Sequence, residues 1–193
     1  MADIVAETER LVLRRELPGD LETWLEHMNT PQVMEKVGGV QPRANVAESF
    51  AKMAAPGDDE PAFYFIALKT SGTLIGKCGL SPIETAIAPA ELQGAVQVGW
   101  TLRADVWGQG YAREGAEAAL VLAFERLALA RVYAQTSQRN TASWGLMRRL
   151  GMTRRADLDY HDPEYPPEDN PTMVWELERE AWASARAAAA ANA

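Results

Sequence analysis

Apolar positions recur along this chain in two rhythms, and the switches between them divide it into elements. Arg10 to Arg15 alternates apolar and polar side chains weakly, as a first strand would. After the punctuation Pro18-Gly19-Asp20, Leu21, Trp24, Leu25 and Met28 fall at i, i+3, i+4 and i+7. That spacing makes one apolar helical face, which stops near Asn29-Thr30-Pro31. A second helix is predicted from about Arg43 to Met53, ended by Pro56-Gly57. Ala62 to Leu68 and Leu74 to Leu80 are apolar runs flanking the turn signal Ser71-Gly72, and they predict a hairpin. Residues 81–94 carry two prolines and read as a loop, and Gly94 to Leu102 resumes strand character.

Beyond Asp105 the helical rhythm returns. Ala112, Ala116, Ala119, Leu120 and Ala123 lie on one side of a long helix through Arg126. Arg131 to Gln135 is short and strand-like. Asn140 to Leu150 is a compact helix with Asn140 as its N-cap and Gly151 as its stop. Met152 to Leu158 is read as a strand, the Pro-rich stretch 159–171 as a loop, and Thr172 to Glu178 as the last strand. The tail WASARAAAAANA has helix propensity without an amphipathic pattern, which leaves an appended helix and a frayed end both open. The order is therefore β-α-α-β-β-β-α-β-α-β-β. Its early hairpin excludes a pure βαβ repeat, so the fold class is α/β (α+β): a single mixed central sheet with helices on both faces. With no repeat and no linker, 1–193 reads as one domain, its core about 9–178 and its tail 179–193.

Composition narrows the function more than the fold. A chain of 193 residues that is 47% hydrophobic and 24% charged has ordinary globular values. A formal net charge of −8 argues against a nucleic-acid or membrane partner, since anionic surfaces demand a cationic surplus. It is compatible with a cationic acceptor such as an amine. Cys78 is the only cysteine, so no internal disulfide forms, and on an apolar strand it reads as a small core hydrophobe. Neither a secretory h-region nor a membrane-length apolar run is present in the sequence, and a cytoplasmic location is expected. One cysteine and two distant histidines, His27 and His161, make no metal-ligand spacing.

The candidate chemistry lies in Trp107-Gly108-Gln109-Gly110-Tyr111-Ala112, between a strand and a helix. Two glycines let the backbone approach a ligand and adopt positive φ. The helix that follows offers unpaired N–H groups and the positive end of its dipole, which together suit a phosphate or pyrophosphate. A tight turn alone would also account for the glycines. A P-loop would need Gly-Lys-Ser/Thr, and none exists. A dinucleotide fingerprint would need a third glycine where Arg113 stands, and an acidic residue where Leu129-Ala130-Arg131-Val132 runs.

The run VGWTLRADVWGQGYAREGAEAAL resembles the coenzyme A motif of the GNAT acetyltransferases, specifically the RimJ/RimL-like branch, in which Trp takes the first motif position. A second block agrees: Asn140-x-x-Ser143 through Leu150-Gly151-Met152 is similar to the family's Asn-x-x-Ser segment, with Arg149 for Lys and Met152 for Phe. The resemblance implies acetyl-CoA as co-substrate and an amine acceptor, either a protein N-terminus or a small molecule. A homodimer is compatible with it.

Carried over residue by residue, the resemblance has the pantetheine arm pair with the main chain of Trp100, Thr101 and Leu102, along an edge opened by a bulge at Gly99. The pyrophosphate would contact the N–H groups of Gly108 to Ala112, and Asn140 and Ser143 would face the coenzyme. Direct attack of a neutral amine on the thioester calls for a general base and a general acid. The family's Glu on the strand before the turn corresponds to Gln97, and its acidic Tyr corresponds to Met147, so neither role is filled there. Ser143 is the substitute acid and Asp162 the candidate base, with His161 and a water chain as alternatives to Asp162. A coenzyme-binding module without catalysis, and a dinucleotide-binding protein, are the rival functions.

Overall fold

The computed structural model describes residues 3–57 and 59–191, and the chain falls into two units: 1–81 with 99–120, and 82–98 with 121–193. In the first unit, β1 (Ile4–Glu7) pairs antiparallel with β2 (Leu11–Arg14). Strand β2 pairs with β3 (Phe63–Leu68), and β3 with β4 (Leu74–Pro82), both antiparallel. The expected hairpin is there, turned at Gly72 with φ +70°.

Alternation along β3 sends Phe65 and Ile66 to opposite faces, and helices cover both. On the Phe65 face lie α1 (Asp20–His27) and α3 (Arg43–Ala54), with the short α2 (Pro31–Met34) between them in sequence. Trp24, Met28, Val46, Phe50, Phe65 and Leu74 form that core, with the Phe50 and Phe65 rings 4.8 Å apart. On the other face Gly115, in α4 (Tyr111–Val121), has no room for a side chain: a Cβ there would sit 3.0 Å from Ile66 Cδ1. A buried ion pair fixes the entry to α1. Arg14 donates to both oxygens of Asp20 at 2.6 and 2.9 Å, and Asp20 also accepts the Leu17 N–H at 2.7 Å.

In the second unit, β6 (Arg131–Ser137) runs parallel to β5 (Val96–Leu102), with Gln97 in register with Tyr133. Strand β6 pairs antiparallel over its whole length with β8 (Thr172–Glu178), and β8 with β7 (Thr153–Arg154). Helix α5 (Thr141–Arg149) follows β6, and α4 is prolonged by a π-helical turn, Leu122–Arg126. The hydrogen-bonding order is β1-β2-β3-β4-β5-β6-β8-β7, one mixed sheet as expected.

The expected order needs four amendments. Strand β1 precedes the first predicted strand; its four residues are exposed or half-buried, so no apolar alternation marks it. The four-residue helix α2 was not expected. The strand expected over Met152 to Leu158 shortens to β7, because the chain turns into a 3₁₀ helix at Ala156–Leu158 and Arg154 reaches Asp159 instead. The tail is a helix, α6 (Arg179–Ala191), and Trp182 packs its ring 5.0 Å from that of Phe124. Among the described residues no helix is long and apolar enough to cross a membrane.

Candidate functional site

Strand β4 lies close against the C-terminal half of β5. A Cβ at Gly76 would lie 2.1 Å from the Thr101 carbonyl oxygen, and the Arg103 N–H donates to Ile75 at 2.9 Å. Gly99 leaves its space to the Phe63 ring, whose Cζ would be 3.0 Å from an added Cβ. Strand β5 is continuous through Gly99, Trp100, Thr101 and Leu102. A 3₁₀ turn, Ala104–Val106, then carries the chain into the glycine turn.

That turn has the conformation its sequence called for. Gly108 and Gly110 lie at φ +76° and +85°, in the left-handed region that favours glycine, immediately ahead of α4. The first N–H groups of α4, from Tyr111 and Ala112 onward, have no intrahelical carbonyl within reach. Trp107 is half exposed, and its indole N–H donates to the Leu102 carbonyl at 2.9 Å, so that carbonyl already has a partner. Gln109 is held at both ends: its side-chain amide donates to the Asp105 carbonyl at 3.3 Å, and its own carbonyl accepts from Arg10 at 2.9 Å.

Arg10 is the residue sequence reasoning missed here. Its guanidinium lies 4.5 Å from the centre of the Tyr111 ring and bonds Glu114 in the first turn of α4 at 2.7 Å. Burial raises the Glu114 carboxyl, but hydrogen bonds from Thr8, the Arg10 N–H and the Arg10 side chain outweigh it and hold the group below its usual range. Cys78 is fully buried, and its thiol is pushed up to about 12 by that burial, as suits a core residue.

In the second unit, Asn140 caps α5: its side-chain oxygen accepts the Ser143 N–H at 3.3 Å, which brings these two residues together. Ser143 itself is half-buried, whereas Met147, one turn on, is buried in the core. Asp162 is also buried, and it staples its own loop. Its carboxylate accepts the Glu164 N–H at 2.9 Å, while its main chain exchanges bonds of 2.8 and 3.0 Å with Asn170. Among the described residues no hydrogen bond joins Asp162 to Ser143. His161 is exposed. A polar pair on β6 carried no sequence signal: the Tyr160 hydroxyl donates to Gln135 at 2.6 Å, and the Gln135 amide nitrogen and Ser137 hydroxyl are buried without hydrogen-bond partners.

Fold and turn together define an α/β protein with a glycine turn opening onto a helix N-terminus, an arrangement suited to an anion. The acetyltransferase (GNAT) domain family matches residues 10–153. FsC-acetyl coenzyme A-N(2)-transacetylase of Aspergillus fumigatus is 31% identical over 113 residues, covering 58% of this chain and 48% of that protein. This chain therefore spans about half of that relative's length. The uncharacterized N-acetyltransferase p20 of Bacillus licheniformis is 26% identical over 158 residues, 79% of this chain and 85% of that one. Among solved structures, an acetyltransferase from Agrobacterium tumefaciens str. C58 superposes with a TM-score of 0.71 at 27% identity, covering 90% of this chain and 93% of its own. The chain belongs to the GNAT acetyltransferase family, the enzymes that take acetyl from acetyl-CoA.

Proposed function

We propose that this protein transfers the acetyl group of acetyl-CoA to a primary amine, by direct attack of the neutral amine on the thioester. The observation that carries this is the pair of left-handed glycines, Gly108 and Gly110, set directly before the N-terminus of α4. In this reading the N–H groups of Gly108, Gln109, Gly110, Tyr111 and Ala112 hold the pyrophosphate, and Trp107 shields it. Trp100 and Thr101 pair with the pantetheine arm, and so does the Leu102 N–H, its carbonyl being held by Trp107. An N–H of this strand polarises the thioester carbonyl. The resemblance also offers Asn140 and Ser143 as coenzyme contacts and Ser143 as the acid. The resemblance offers Asp162 as base, although burial and the N–H from Glu164 equally suit a loop-fixing role.

The acceptor is a protein N-terminus or a small amine. The Aspergillus relative's name, an N(2)-transacetylase, supports nitrogen as the atom acetylated, and the Trp-Gly-x-Gly-Tyr-Ala run supports the RimJ/RimL-like branch. Thiol release from acetyl-CoA in the presence of amines and peptides tests the reading. Tight coenzyme binding with no turnover would instead favour the binding module, which Gln97 and Met147 at the family's acid–base positions would suit.

A further inference from the structure

Lys77 stands in the middle of β4, in register with Phe65, on the sheet face covered by α1 and α3. Its ammonium nitrogen lies 5.2 Å from the centre of the Trp24 ring, 5.2 Å from that of Phe63, and 3.8 Å from the Met53 sulfur. No carboxylate pairs with it among the described residues. The charged groups on the elements packed around it are engaged elsewhere: Asp20 with Arg14, Glu22 with Arg43, Glu26 with His27, and Glu48 with Lys52. Strand β3 contributes no ionisable group to this face, and Arg103, just past β5, pairs with Asp105. Burial pushes the Lys77 ammonium down to about 8, within reach of neutrality at working pH. The side chain nevertheless keeps partial exposure.

The Phe63 ring links this lysine to the strand assigned to the thioester. The same ring that contacts Lys77 fills the space left by the missing side chain of Gly99. We infer that Lys77 is the catalytic base that takes a proton from the acceptor's ammonium. The inference rests on the acetyl-transfer reading above and supplies the group that Gln97 cannot.

The step balances as follows. Neutral Lys77 Nζ removes one proton from the acceptor ammonium, and the freed lone pair forms the C–N bond at the thioester carbonyl. The C–S bond breaks with its electron pair leaving on sulfur. The second proton, lost from nitrogen, goes to the thiolate, and Lys77 releases its own proton to water. The Trp24 and Phe63 faces stabilise the lysine cation while it exists.

Two measurements test this. Trace labelling of the wild-type protein with isotopic acetic anhydride across pH, read at Lys77 by peptide mass analysis, should give a midpoint near 8; a midpoint at the ordinary lysine value of 10.5 would overturn the inference. Thiol release is then followed with spermidine, benzylamine and an Ala-initiated tetrapeptide. The wild-type rate should rise with pH through the labelling midpoint. In Lys77→Met, kcat should fall about 100-fold or more, the KM for acetyl-CoA should hold, and that limb should move to the acceptor's own, higher pKa. A Lys77→Met enzyme with wild-type kcat, or a loss seen only in Asp162→Asn, would overturn Lys77 and leave acetyl transfer standing. No turnover by the wild type with any of the three amines would overturn acetyl transfer and the base together.

Discussion

Glu114 holds Arg10 at two points: one carboxylate oxygen accepts the Arg10 backbone N–H at 2.7 Å, and the other accepts its guanidinium Nε at 2.7 Å. The turn between β1 and β2 is thereby fixed to the first turn of α4, where the glycine turn ends. Because Glu114 is held below its unfolded value of 4.5, its contribution is fully present above that pH and is lost as pH falls through the lower folded value. Glu114→Gln should lose about 1–3 kcal/mol at neutral pH and should show a shallower further loss below pH 4.5 than the wild type. Urea unfolding at neutral and acid pH checks both.

The glycine turn is best tested at Gly108. A side chain at Gly110 would land 3.3 Å from the Arg10 guanidinium, so an aspartate there could find a partner, whereas nothing lies within 4 Å of a Cβ at Gly108. Gly108→Asp puts a negative charge on the turn at a left-handed cost of about 1–2 kcal/mol. Acetyl-CoA affinity, measured by calorimetry, should fall at least tenfold while the protein stays folded. Unchanged affinity would remove the turn from the coenzyme site.

Arg14 and Asp20 form an ion pair with almost no exposure, their side chains only 5% and 8% accessible. Removing one partner leaves the other charge enclosed and also frees the Leu17 N–H. Asp20→Ala should therefore cost about 3–5 kcal/mol, far more than breaking the exposed Glu22–Arg43 pair, whose charges solvent screens. Chemical unfolding of the two variants side by side decides it.

The Ser137 hydroxyl is buried with no hydrogen-bond partner. Ser137→Ala should leave stability unchanged or raise it by up to about 1 kcal/mol. A loss of that size would mean that the hydroxyl is bonded to an ordered water. Thermal unfolding separates the two.

Much of this protein is legible in its sequence because local chemistry and tertiary structure agree there. Asn140 caps, Gly151 stops, and Gly72, Gly108 and Gly110 turn where their residue types demand it. What escaped depends on partners far away in the chain. Lys77 looks like the outward member of an apolar strand until Trp24, Met53 and Phe63 arrive from three other elements. The 81–94 stretch, with its two prolines, reads as a loop, yet Ile83, Ala88 and Leu92 anchor it in the core with Tyr133 and Val174. The acid–base residues are hardest to read, since a carboxylate such as Asp162 looks the same in sequence whether it meets substrate or staples its own loop.

The π-helical turn at Leu122–Arg126 widens the last turn of its helix, with the Leu127 N–H reaching back five residues to Leu122. Such a turn accommodates one residue more than an α-helix of the same rise. Phe124 sits inside it, buried and aimed at Trp182. Deleting a single residue here would restore a regular helix, yet it would swing Phe124 by roughly 100° about the axis and strand the terminal helix without its anchor. The length of this segment is thus under a constraint as strict as the identity of its residues, and homologues that lack the extra residue should differ in how their C-termini end.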